Sequence, residues 1–282
     1  MAAAEFKEAL NLLGRSPVLW IPGLVAGACA ALIWVLLMLS GTFFAARLLV
    51  IAGLIIMLFV AGMLASIKET PAGPGPMLSG GFRYYFRVLL PMLVILFSIL
   101  LIFFLLVATL GLIGMAANPG LIGGITLGVM IPVMIFTFFF DTAAVFENRP
   151  VFGSIRRSIE LVATHFTEVI AFFVISAIAA FCILFPLMMI WEAFLYNQIE
   201  PLSHYTEAQI QAITPDQLIA LLGKDSLGIT AVVLFIAGFL LVPVLYSYKA
   251  CLFKKLAATP GTPTLEQQVV GEYDSKGRWY KY

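Results

Sequence analysis

Charge is what this sequence has least of. Asp, Glu, Lys and Arg together make up 11% of it, where a soluble domain carries about 25%. Hydrophobic residues reach 62% and mean hydropathy is +1.06. A water-soluble fold of this composition would have nowhere to hide its apolar surface, so the bilayer must be the solvent for most of the chain. Cysteine is scarce too. Cys29, Cys182 and Cys251 lie far apart, which excludes a disulfide framework and a paired metal motif. The opening residues M-A-A-A-E-F-K-E lack the basic stretch of a secretory signal. Ala2 stands where myristoylation needs glycine, and no terminal cysteine box is present. The expectation is an uncleaved protein of the cell membrane.

What the sequence does have is long apolar runs, at about 17–39, 47–67, 88–116, 121–146, 169–196 and 227–248. Each suffices for the roughly 20 residues that span a bilayer as helix. The expected fold is all-α: a polytopic membrane bundle of six transmembrane helices within 1–249, followed by a polar tail, 250–282. Residues 5–15 place Phe6, Leu10 and Leu13 on one helical face, which predicts an amphipathic helix at the interface. Residues 40–46 read as a tight turn. Pro71, Pro74 and Pro76 predict a loop over 68–81. In the loop 197–224, Thr206 with Gln209 and Thr214 with Gln217 read as capping boxes of two short helices, the second stopped by Gly223.

Placing both termini in the cytoplasm leaves only Arg47 and Lys224 of the 16 basic residues on the opposite side, the asymmetry that positive-inside insertion demands. A basic or amphipathic segment leads into an outward crossing three times, over about 5–67, 68–146 and 147–249, a weak internal repeat of pattern rather than identity.

Polar residues concentrate in one stretch, 136–173. Asp141 is the acidic residue nearest a span interior; it is either an ion or proton site or the partner of Arg149, Arg156 or Arg157. Glu147 follows it. Phe152, Ile155, Ile159, Val162 and Phe166 then recur at intervals of three and four, with Arg156 and Arg157 off that stripe. The pattern predicts a cytoplasmic interfacial amphipathic helix. His165 beside it reads as a headgroup contact, since no nucleophile and base surround it. Glu192, Glu200, Glu207, Asp216, Asp225 and His204 make the other face acidic but lack any calcium-loop spacing. No cofactor or metal is expected.

Gly120, Gly124 and Gly128, and likewise Gly23 and Gly27, follow the small-xxx-small pattern that lets helices approach. They suit packing within the chain or, more sharply, a homo-oligomer seam. Pro132, Pro186 and Pro243 each fall inside a span and bend it. The tail offers Tyr273, Arg278, Trp279, Tyr280 and Tyr282 around a turn at 274–277. It either rests on anionic headgroups or docks a cytoplasmic or membrane protein partner.

Two stretches carry a resemblance. E-A-L-N-L-L-G-R-S-P-V-L-W-I-P-G-L (8–24) looks like the opening of an uncharacterised family of archaeal six-span membrane proteins, and R-P-V-F-G-S-I-R-R-S (149–158) resembles the same region there. The second stretch also resembles the broader group that includes the membrane domain attached to some glycerophosphodiester phosphodiesterases. The resemblance implies lipid-related work and no catalytic residues. The leading expectation is a non-catalytic integral membrane protein binding membrane lipids or a partner complex. A permease for a small or lipidic solute is the alternative, and a lipid enzyme lacks any nucleophile, base and metal grouping. No nucleic acid is expected as a partner.

Overall fold

The computed structural model describes residues 2–69, 73–112, 119–200, 206, 213, 215–259, 271–273 and 279–281. Helix α1 is Ala2–Arg15, and Pro17–Trp20 makes a single 3-10 turn. Ile21–Lys68 then runs as one helical stretch broken only at Gly41, whose φ is 75° and ψ 179°. Its two legs are α2 (21–40) and α3 (42–68). There follow α4 (Pro74–Leu112), α5 (Pro119–Phe136), α6 (Phe140–Phe146), α7 (Val151–Thr164), α8 (Phe166–Ile199) and α9 (Pro215–Ala258).

Among the described residues, five helical segments rather than six are long and apolar enough to cross a membrane. The first, Pro17–Lys68, spans 52 residues; straight, it would measure about 78 Å against roughly 30 Å of hydrocarbon. It is not straight. Leu19 lies in the same buried cluster as Met63 and Leu64, so the chain doubles back at Gly41. The expected turn over 40–46 shrinks to that one residue, because glycine alone adopts a positive φ without steric cost.

Other boundaries differ for local reasons. Two of the prolines expected to hold 68–81 in a loop instead open a helix, Pro71 lying outside the described residues: α4 starts at Pro74, and Pro76 sits in a first turn that needs no amide donors. The fourth run is interrupted over 137–139, giving α5 and the short α6. The prolines at 91, 132, 186 and 243 all sit inside continuous helices. Pro215 does open a helix, but Gly223 does not stop it; α9 continues through the sixth run to Ala258, taking residues 250–258 out of the tail. Of the first capping box Thr206 is described and Gln209 is not, and most of 197–214 lies outside the described residues.

Two glycine seams set the packing. A β-carbon on Gly23 would meet the Phe239 carbonyl at 2.3 Å, and one on Gly27 the Phe235 carbonyl at 2.3 Å. Only glycine lets α2 lie this close to α9. On the other leg, Gly62 faces the Met77 carbonyl at 2.4 Å and Gly81 the Leu58 carbonyl at 2.7 Å, joining α3 to α4. Burial gathers at one end of the bundle. Leu13, Leu19, Met63, Leu64, Tyr84 and Val145 form one buried cluster there. Phe139, Leu161, Phe172, Tyr248 and Phe253 form a second. Towards the other end the helices part, and Leu39, Phe43, Phe44 and Leu112 are exposed.

Near the end of the chain, Gly271–Tyr273 (β1) pairs antiparallel with Trp279–Lys281 (β2), Tyr273 opposite Trp279. The two strands flank the expected turn at 274–277. An isolated pair of three-residue strands is marginal in water.

Candidate functional site

The polar residues of the chain meet at its well-buried end, and the interruption in the fourth run creates the meeting point. Between α5 and α6 the backbone leaves the helical ladder. A freed amide inside an apolar body is costly unless something else accepts it. Ser158 of α7 supplies the acceptor: its hydroxyl oxygen takes the Phe139 amide at 2.8 Å and donates to the Phe136 carbonyl at 2.8 Å. Thr137 donates back to the Val133 carbonyl, and Thr142 to the Phe139 carbonyl.

The break lets Asp141 turn inward, and it is 3% exposed. Its partner is none of the arginines expected from the sequence. Lys249 of α9, 6% exposed, brings Nζ to 2.7 Å from Oδ1 and 2.8 Å from Oδ2. The Thr142 amide also donates to Oδ1 at 2.7 Å. The Phe138 ring lies 4.2 Å from the ammonium and the Tyr246 ring 5.3 Å, adding quadrupole attraction on sides the carboxylate does not cover. A buried ion pair recovers its desolvation cost only with such supplementary contacts.

Glu147 forms a second charge centre. It accepts from Arg157 Nε at 2.9 Å and from Arg149 Nε at 3.1 Å. Arg157 is buried, whereas Arg156 pairs with Glu160 one turn along α7 and stays largely exposed. Two lysines close helix ends that would otherwise leave carbonyls bare. Lys68 donates to the Val145 carbonyl at 2.7 Å, and Lys254 to the Ile67 carbonyl at 2.8 Å. Lys255 contacts Glu5 of α1, and Arg87 reaches Asn148, whose φ is +54°. Both ends of the helical part of the chain therefore lie at this basic end.

Helix α7 is turned differently from a helix resting its apolar stripe on the protein. Ser154, Arg157, Ser158, Leu161 and Val162 are buried. Phe152, Ile159 and, just beyond, Phe166 are exposed. The face locked into the body is mostly polar, because Ser158 and Arg157 have partners there. Of the stripe read from the sequence, Phe152, Ile159 and Phe166 face outward, Ile155 is half-buried and Val162 is buried.

His165 links α7 to α8 and lines a cavity of about 300 Å³ beside Glu5 and Lys255. A larger apolar groove, about 560 Å³, runs between α8 and α9 past Leu187, Phe194, Ile229 and Val232. Gly23 and Gly27 pack within the chain. Gly124 and Gly128 do not, since a β-carbon on either meets nothing within 4 Å, and Gly120 is exposed. Tyr273, Trp279 and Tyr280 are strand residues; Arg278 and Tyr282 lie outside the described residues. No group of three or more His, Cys, Asp or Glu able to hold a metal occurs among the described residues.

Ser158, Lys68, Lys249 and Lys254 were not singled out from the sequence. Lys249 had one signal: it ends the sixth run at about the depth at which Asp141 ends the fourth. No protein-family model, curated protein or solved structure matches the chain. Its several long apolar helices mark an integral, membrane-spanning protein.

Proposed function

We propose that this protein is a non-catalytic membrane component that binds lipid at its basic end, which faces the cytoplasm. The carrying observation is the attitude of α7. Ser158 and Arg157 hold its polar face inside while Phe152 and Ile159 point outward. A helix that turns apolar side chains out at the end of a membrane bundle suits the boundary between acyl chains and headgroups. The cytoplasmic orientation rests on the basic residues collected at that end. The resemblance of residues 149–158 to lipid-associated membrane domains points the same way. The test is native mass spectrometry of the full chain purified in mild detergent. A stoichiometric lipid retained through detergent exchange is expected; release of all lipid, with a protein subunit held instead, would replace lipid binding by an assembly role.

The buried pair of Asp141 and Lys249 favours a second reading, a permease. Charges inside a membrane body commonly line transport paths. Flux of a solute into proteoliposomes that Asp141→Asn abolishes would put this reading first.

A further inference from the structure

The cavity beside His165 adjoins the Glu5–Lys255 contact of α1 with α9 but is not filled by it. It opens where α1, the α7–α8 junction and the end of α9 meet, and its wall carries Glu5, His165, Glu168 and Lys255 between Leu252 and Leu256. At about 300 Å³ it stands at the lower end of small-molecule sites, roughly 300–1,000 Å³. It has room for a headgroup but not for a whole lipid.

The charges in the wall do not cancel. Glu5 meets Lys255 through Oε1, leaving the Glu168 carboxylate in excess. Glu5 is only 5% exposed, and its second oxygen, Oε2, is buried with no hydrogen-bond partner. A buried carboxylate oxygen without a donor carries its full desolvation cost. Oε2 is open to a hydrogen-bond donor, and the excess Glu168 carboxylate in the same wall favours a cationic one. A hard metal ion is a poor candidate, because no three-ligand group of His, Cys, Asp or Glu is present among the described residues. An ammonium supplies up to three donors and needs no fixed coordination shell. Lys255, with its side chain 42% exposed, keeps donors for an adjoining anion. The cavity also sits where α8 begins its apolar run, beside exposed Phe166 and Ile170.

We infer that this cavity binds a primary ammonium carried next to a phosphate: the ammonium on Glu5 Oε2 and Glu168, the phosphate beside Lys255. Two sources share that chemistry, an ethanolamine phospholipid at the membrane surface and a soluble phosphoethanolamine. The inference rests on the lipid-binding reading and names the ligand class.

The experiment uses the full chain in mild detergent, offered phosphatidylethanolamine and phosphatidylglycerol in equal amounts and read by native mass spectrometry. Phosphatidylethanolamine adducts should dominate, and Glu168→Gln should weaken them about tenfold, as expected for one lost charge-assisted hydrogen bond. Glu5→Gln should do the same, with its melting temperature checked because Lys255 loses a partner. Glu8→Gln, on the exposed side of α1, should change nothing. Competition by soluble O-phosphoethanolamine at comparable concentration would keep the site and move its source to the aqueous side. Equal retention of the two lipids, unmoved by Glu168→Gln, would overturn the inference while leaving lipid binding intact. Retention of neither lipid, with no effect of O-phosphoethanolamine, would overturn both.

Discussion

Asp141 and Lys249 show how much a single buried contact can organise. Each alone would be an uncompensated charge inside an apolar body. Lys249→Met should therefore destabilise the fold by about 3–5 kcal/mol, and the double variant Asp141→Leu, Lys249→Met should recover much of that loss. Denaturant titration of the purified protein in detergent would show it; additive losses would mean the pair is not coupled. Ser158→Ala should cost about 1–3 kcal/mol in the same assay, because the Phe139 amide loses its acceptor with nothing to replace it. Asp141 was legible as a costly carboxylate, but not its partner. A lysine directly after an apolar run reads as a snorkelling end, and only the folded arrangement shows that α9 carries it inward. Ser158 left no trace, since a serine among arginines on a helix announces nothing about an amide 19 residues away.

At the scale of elements, the apolar runs were legible because uncharged residues persist for longer than any soluble helix needs. The turn chemistry was less so: proline opens a helix as readily as it closes one, and position decides which. The period of α7 was readable, whereas its facing was not, because a period of 3.6 says which residues share a side and not which side turns in. That facing is testable. With Phe152→Trp, its fluorescence should be quenched by lipids brominated near the headgroup and scarcely by aqueous iodide; the reverse would remove α7 from the membrane boundary. The glycine seams give a sharper contrast. Gly27→Val should disrupt the α2–α9 contact, since backbone lies 2.3 Å from the new β-carbon, and lower the melting temperature clearly. Gly124→Ala meets open space and should be neutral or slightly stabilising, as alanine favours helix by up to about 1 kcal/mol.

Over the whole molecule, the bundle is tight at its basic end and open at the other. The most apolar stretches of α4 and α5 hold almost no fully buried residues. With the basic end in the cytoplasm, a cysteine placed at Arg83 should be shielded from impermeant thiol reagents in intact cells and one placed at Ser40, exposed beside the turn, should react. The opposite pattern would invert the orientation. The legible part at this scale was an all-α bundle of long apolar helices; the gathering of the core at one end came from side-chain partners that hydropathy does not encode.

The reliance of α1, α2, α3 and α6 on α9 has a temporal side. Asp141 precedes Lys249 by 108 residues, and the carbonyl of Ile67 precedes Lys254 by 187. At roughly 5–20 residues per second, a nascent chain would hold its carboxylate unanswered for about 5–20 seconds. During that interval the earlier passes sit in the bilayer with their costliest groups exposed, dependent on the insertion machinery. Completion is then abrupt, since one emerging helix answers the charge, covers the carbonyl and closes the glycine seam together. A ribosome stalled before residue 249 leaves an orphan suited to recognition by membrane quality control.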